Sequence, residues 1–238
     1  MTDNNLIAEG WKFHYNLEGD EEVRCNLVYT PYVSPDGKSM IMSFNRDERY
    51  HQWGAENEQW TEEMLTDRFN RELKFHKLAK DAGMTVLAIK NVDESKRHIE
   101  IEWHGDFLMQ GIEGGGYDKV LPNWKSQWLD RITEMWAAGI YKLSMHPNSW
   151  VVIDGKLVPF NWFFSFTKDE PPAKIRKFLV QISTGRLEKL ELVLATLGRN
   201  LDTEYDTKTL QEICFHSFRA NYPAPLIDQA LKNHSILA

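Results

Sequence analysis

Cysteine is scarce in this chain: there are two in 238 residues, Cys25 and Cys214, far apart and in no C-x-x-C pair. That spacing offers no disulfide framework and leads us to expect reduced thiols in a cytoplasmic setting. A basic excess is also missing. Twenty-eight Lys and Arg stand against 35 Asp and Glu, for a net charge of −7, and a dedicated nucleic-acid binder would need a basic footprint. No uninterrupted apolar run approaches the ~20 residues of a membrane span. The start, Met1-Thr2-Asp3-Asn4-Asn5, lacks the basic residues and apolar run of a signal peptide. The eight histidines include no pair at i, i+4, so no metal site is legible from spacing. We find neither an internal repeat nor a low-complexity tract. What remains is ordinary globular material, 42% hydrophobic and 26% charged, enough for one domain or two packed lobes.

The most orderly stretch runs from Trp124 to Phe166. Trp124, Trp128, Leu129, Ile132, Met135 and Trp136 fall on one stripe of a helix, and Gly139 stands where the helix should end in the left-handed conformation. Trp150–Ile153 and Lys156–Val158 are β-prone runs joined by Asp154-Gly155, a strong hairpin signal. Upstream, Trp11–Leu17, Val23–Val33 (interrupted near Pro31) and Lys38–Phe44 read as three strands. A helix follows over about Thr61–Asp81, with Leu65, Phe69 and Leu73 stacked and Gly83 ending it. Val86–Lys90 and His98–Trp103 then read as a strand pair around the charged turn Asp93–Arg97. Beyond Lys168–Pro172, three apolar helix faces follow: Ile175 to Ile182, Leu187 to Leu197, and Leu210 to Phe218. A short terminal helix closes the chain after Tyr222-Pro223-Ala224-Pro225.

Helix, loop, Asp-Gly hairpin and a polar residue just after it resemble the core of a kinase C-lobe. The wording is similar to the aminoglycoside-phosphotransferase and choline-kinase branch, whose loop reads H-G-D-L-H-P-x-N, with an Asp after the second hairpin strand. Here His146-Pro147 and Trp150–Val158 hold that frame. The upstream order of three strands, one helix and two strands resembles the kinase N-lobe. The resemblance implies an α+β, two-lobed protein-kinase-like fold. Its N-lobe, residues 1–106, would be a five-stranded antiparallel sheet with one helix. Its C-lobe, residues 107–238, would be small and mainly helical, without a substrate-binding insert.

The residues that carry kinase chemistry differ. The resemblance places Ser144 at the catalytic Asp, Ser149 at the metal-binding Asn (with Asn148 one residue early), and Asn161 at the second metal-binding Asp. Ser43 stands near the phosphate-binding Lys of strand three, since Lys38 is too early and Arg46 lies past the strand. Glu18, Asp20, Glu21 and Glu22 occupy the turn that should cradle phosphates, where carboxylates repel a triphosphate by roughly 1 kcal/mol or more per close pair. Phosphoryl transfer needs a carboxylate base and hard oxygen ligands for Mg²⁺. Ser144 is no base unaided near neutral pH, and Asn161 offers one neutral oxygen. His146 could serve as a base or hold the loop by hydrogen bonds. Glu72 matches the helix Glu that pairs with the strand-three Lys; on helical periodicity it reads equally as a solvated surface charge.

Three further features have two readings each. Gly114-Gly115-Gly116 resembles a phosphate cradle but lacks its Lys-Ser/Thr, and fits a connector between lobes better. Trp53 and Trp60 flank a polar loop, as an exposed contact surface or as packing. Phe160 and Trp162 border the Asn161 position; their filling the cleft would suit a binding module, whereas Glu72 next to a cation with Asn148 and Asn161 converging would suit an enzyme. The expectation is a pseudokinase acting as a binding or regulatory scaffold, its partner a protein or small metabolite. The nucleotide-pocket candidates are Ser43, Glu72 and Asn161, for ATP with or without Mg²⁺. The competing expectation is a divergent phosphotransferase or nucleotide-using transferase with a rearranged site. A third is an α+β domain unrelated to kinases.

Overall fold

The computed structural model describes residues 4–13, 29–45, 61–104, 121–143, 147–170, 210–211, 214 and 222–234. The chain divides into two compact units, Met1–Lys74 with Val86–Asp106, and Phe75–Thr85 with Phe107–Ala238. Each is described by itself.

The first unit is built on an antiparallel sheet of β1 (Lys12–Phe13), β2 (Thr30–Val33), β3 (Ser39–Ser43), β4 (Ile89–Asp93) and β5 (His98–Glu102), in the order β1-β2-β3-β5-β4. Every residue of the central β3 is buried, which means that both of its faces are covered. On one face Ile41 lies opposite Tyr32, and Leu6 of helix α1 (Asn4–Ala8) packs over the pair with Trp11. On the other, Met40 and Met42 lie opposite Ile101 and Ile99. Phe44 continues that face and meets Phe69 of helix α2 (Glu62–Asp81), ring edge to face at 6.0 Å. Phe44, just past the end of β3, thus packs against the helix.

Helix α2 starts where a side-chain cap is available. Thr61 Oγ1 accepts the Met64 N–H at 3.2 Å, satisfying one of the orphan donors of a first turn. At its other end Gly83 has φ +80°, the left-handed stop expected of it. The β4–β5 turn is tied to this region by Arg97. Its side chain donates to the Phe44 carbonyl and to Asn45 Oδ1, each at 3.1 Å, and pairs with Glu62 at the helix start.

Two strand expectations shift. The chain does not break at Pro31; β2 runs through it, with Pro31 opposite Met42. Among the described residues β1 pairs only with Tyr32 and Val33 of β2, so Pro31 is paired on the β3 side alone, an edge-like position of the kind that tolerates proline. The fourth strand lies at Ile89–Asp93 rather than Val86–Lys90. Leu87 is spent on burial outside the strand, and the ladder restarts after an irregularity between Ile89 and Asn91.

The second unit is organised on helix α3 (Trp124–Ala137), which buries Trp124, Trp128, Ile132, Met135 and Trp136. Its end is a Schellman motif: Gly139 at φ +71° donates to the Trp136 carbonyl and Ile140 to Met135. The hairpin of β7 (Trp150–Ile153) and β8 (Lys156–Pro159) turns on Asp154 (φ 49°) and Gly155 (φ 71°), both left-handed as a type I′ turn requires. Gln127 of α3 grips that turn. Its Nε2 donates to the Gly155 carbonyl at 2.9 Å, and its Oε1 accepts the Leu157 N–H at 2.8 Å.

Helix α4 (Ala224–Asn233) buries Leu226, Ile227, Ala230 and Leu231. Just before it, Tyr222 packs at a tilt against Trp128, ring centres 4.9 Å apart, and accepts the Trp150 indole N–H at 2.9 Å. Just after it, His234 meets the edge of Trp136 at 4.4 Å and bonds Thr133 Oγ1 through Nε2 at 3.3 Å. Burial lowers the pKa of His234 from its ordinary value. The unfolded chain therefore takes up the proton first, so this contribution is fully present above about pH 6.5 and fades as pH falls below it. Wild type should lose more urea resistance than His234→Gln between about pH 7.5 and 5.5, in a comparison that cancels the other titrating groups. Equal losses would remove His234 from the account.

Among the described residues, no helix is long and apolar enough to cross a membrane. Residues 14–28, 46–60, 105–120, 171–209 and 215–221 lie outside the described set. The acidic turn, Trp53, Trp60, Gly114–Gly116 and most of the expected later helices fall there.

Candidate functional site

The second unit brings two of the expected site residues together. Strands β6 (Tyr141–Lys142) and β9 (Ser165–Phe166) pair antiparallel, Tyr141 opposite Phe166 and Lys142 opposite Ser165. The Leu143 N–H extends the pairing to the Phe164 carbonyl at 2.7 Å. This short ladder fixes where the chain leaves for the loop and where it returns after the hairpin. A 3-10 turn over Pro147–Ser149 leads into β7, and another over Trp162–Phe164 leads into β9.

Between them the Phe160 N–H donates to the Ser149 carbonyl at 2.9 Å. That bond sets Ser149 and Asn161 side by side, and Asn161 Nδ2 donates to Ser149 Oγ at 3.4 Å. Both residues are buried, Ser149 completely. Asn161 adopts φ 61°, ψ 57°, a left-handed conformation that asparagine tolerates better than most residues. Non-glycine residues held there cluster at functional sites and ligand clamps.

The sequence reading did not single out Lys142. It is 1% exposed, and its Nζ donates to the main-chain carbonyl of Asn161 at 2.7 Å. The same Nζ lies 5.9 Å from the centre of the Trp162 ring. A signal for it did exist: in the frame H-G-D-L-H-P-x-N the first His falls on Lys142, so a buried cation stands where an imidazole is expected. Trp162 is itself buried, and among the described residues its indole N–H has no hydrogen-bond partner, a rarity for a buried donor. Cys214 is near enough to feel the Lys142 charge; burial raises its thiol pKa strongly, with Lys142 opposing.

The remaining candidates divide as follows. Ser43, in the first unit, is fully buried on β3 and accepts Asn45 Nδ2 at 3.1 Å. Lys90 of β4 serves the other end of β3, donating to the Lys38 carbonyl and Ser39 Oγ, both at 2.8 Å. Glu72 is 4% exposed, which removes its reading as a solvated charge on an amphipathic helix. It lies with Arg68 and Arg71 on the buried side of α2, and burial lowers the pKa of Arg68 to about 10. Ser144 and His146 lie outside the described residues, as does the side chain of Asn148.

Chemically, the described groups around Asn161 are donors and neutral dipoles: an ammonium, an indole N–H, an amide and hydroxyls. Among the described residues no group of three or more His, Cys, Asp or Glu side chains converges to hold a metal ion. The Ser149 hydroxyl and the Asn161 amide are weaker ligands for Mg²⁺ than the carboxylate oxygens it favours.

No family model matches the chain, and no curated protein does. Among solved structures it is similar to the bifunctional kinase-methyltransferase WbdD. In a medium-resolution structure the likeness covers 95% of this chain and 51% of that chain, at 12% identity and a TM-score of 0.46. A higher-resolution structure of WbdD gives 89% and 49% coverage, 12% identity and a TM-score of 0.47. This chain thus spans about half the length of the structures it matches.

Proposed function

We propose that this chain is a kinase-like protein of two lobes, 1–106 and 107–238, that has lost phosphoryl-transfer chemistry and acts in the cytoplasm as a binding or regulatory scaffold. The observation that carries the reading is the pairing of Ser149 with Asn161 beneath a buried Lys142. The frame of helix, loop and Asp-Gly hairpin is kept, and the two positions that should ligate metal face each other. Each has a neutral side chain. A hydroxyl and an amide give a divalent ion much less than carboxylates do, and a metaphosphate-like transition state is stabilised mostly by such ions and fixed charges. Phe160 and Trp162, both buried on either side of Asn161, add to the reading as a binding module. The partner is a protein or a small metabolite.

A second reading, a divergent nucleotide-using transferase, draws on the convergence of Ser149 and Asn161 and on the buried Glu72. Radiolabelled ATP with Mg²⁺ or Mn²⁺ and a panel of protein and small alcohol acceptors separates the two. The scaffold reading expects no transfer above the level of Ser149→Ala and Asn161→Ala. Transfer that disappears in either variant would establish the enzyme.

A further inference from the structure

The chain returns from the hairpin to β9 through Asn161 and a single 3-10 turn, Trp162–Phe164. Lys142 brackets that passage. Its backbone stands opposite Ser165 in the β6–β9 ladder, and its ammonium reaches back to the Asn161 carbonyl at 2.7 Å. We propose that Lys142 is a positioning residue, an internal lock that keeps Asn161 in its left-handed conformation and so fixes the course of the chain from hairpin to β9. The inference goes beyond the scaffold reading and does not depend on it.

Three observations support it. Asn161 sits at φ 61°, ψ 57°, a conformation that is costly for a residue with a Cβ and that persists where its surroundings over-determine it. A charge-assisted bond to its own carbonyl is a contact of that kind. Next, Lys142 is 1% exposed, and an ammonium is costly to bury unless it is hydrogen-bonded. Moving the Asn161 carbonyl away would take an acceptor from a buried charge, so the turn and the ammonium stabilise each other in this arrangement. Finally, the same short strand grips the rest of the turn. The Lys142 Nζ lies 5.9 Å from the centre of the Trp162 ring, and the Leu143 N–H donates to the Phe164 carbonyl at 2.7 Å. The lock belongs to this chain and not to the H-G-D-L-H-P-x-N frame, whose first His falls on Lys142.

The test is amide hydrogen exchange in the full chain, followed by NMR. Two amides report on the passage: Leu143, bonded to the Phe164 carbonyl, and Phe160, bonded to the Ser149 carbonyl. In Lys142→Met, which fills similar space without charge, their exchange should quicken by about tenfold more than that of Ile132 and Met135 in α3. Equal quickening throughout the unit overturns the lock, because a residue that only adds stability would produce it. The second arm repeats the replacement in an Asn161→Gly background, where glycine adopts the left-handed conformation without penalty. There the loss of protection should be several-fold smaller, the mark of two coupled sites; an undiminished loss overturns the inference. Near-UV circular dichroism of the tryptophans reports whether the variants fold. If Lys142→Met does not, the wild type decides. An interior ammonium held to a carbonyl exchanges its protons slowly and should give a resolved nitrogen-correlated signal, and the absence of that signal overturns the lock. None of these failures touches the scaffold reading, which falls instead with metal-dependent transfer to an acceptor.

Discussion

Replacing Trp128 with alanine is expected to destabilise the second unit by about 3–5 kcal/mol, the range for truncating a fully buried aromatic. Trp128 has no exposed surface and packs at a tilt against Tyr222, ring centres 4.9 Å apart. Through Tyr222 it is linked to the hairpin, since the Tyr222 hydroxyl accepts the Trp150 indole N–H. Truncation therefore opens a cavity between α3 and the segment that delivers α4, and loosens a hydrogen-bonded contact to β7 as well. Urea unfolding followed by circular dichroism measures the loss. Trp128→Phe should recover much of it by keeping a ring against Tyr222. A loss below about 1 kcal/mol would mean that the helix stripe is not the core of this unit.

The second large effect is expected at Asn161. An L-residue in the left-handed helical region costs roughly 1–2 kcal/mol, and a β-branched one is a genuine outlier there. Asn161→Val should lose about 2 kcal/mol or more, because it adds the backbone penalty to loss of the amide that donates to Ser149. Asn161→Gly should lose less, since glycine adopts this conformation freely and only the side-chain bond is removed. The order Val worse than Gly is the diagnostic, read from urea midpoints. The reverse order would show that the side-chain contact, rather than the backbone, holds the turn. The conformation has a consequence for Lys142, because it is the main-chain carbonyl of Asn161 that the ammonium holds. A substitution that relaxes the backbone should therefore disturb the cation as well.

Much of the fold was legible because its signals are local. The stripe from Trp124 to Trp136 follows from helical period alone, and four residues expected there lie at 2% exposure or less: Trp124, Trp128, Ile132 and Met135. Gly83 and Gly139 stop helices at positive φ, and Asp154-Gly155 makes the hairpin turn, because left-handed backbone selects for these residue types. Leu129 and Leu73 proved only partly buried, being at the margins of their stripes. The shift of the fourth strand and the passage of β2 through Pro31 were not legible, since β pairing depends on partners remote in sequence.

The site was legible in part. Ser149 and Asn161 could be marked from their places in a motif, and the structure puts them in contact. Lys142 was marked only by its mismatch with the first His of that motif, because a lysine next to a tyrosine on a two-residue strand has no periodic signal and otherwise reads as an ordinary surface charge. Glu72 raised the same difficulty in reverse: helical spacing alone cannot say which face a charge occupies when arginines share it.

The sequence by itself determined the elements and their ends: where helices run, where glycine stops them, and where the hairpin turns, since each follows from a few neighbouring residues and the φ they permit. Only the tertiary structure decided which charges are buried. The β6–β9 pairing carries Lys142 to a carbonyl nineteen residues away, and Glu72 of α2 is buried along with Arg68 and Arg71. Burial and long-range hydrogen bonds are properties of two segments at once, and no single stretch of sequence contains them.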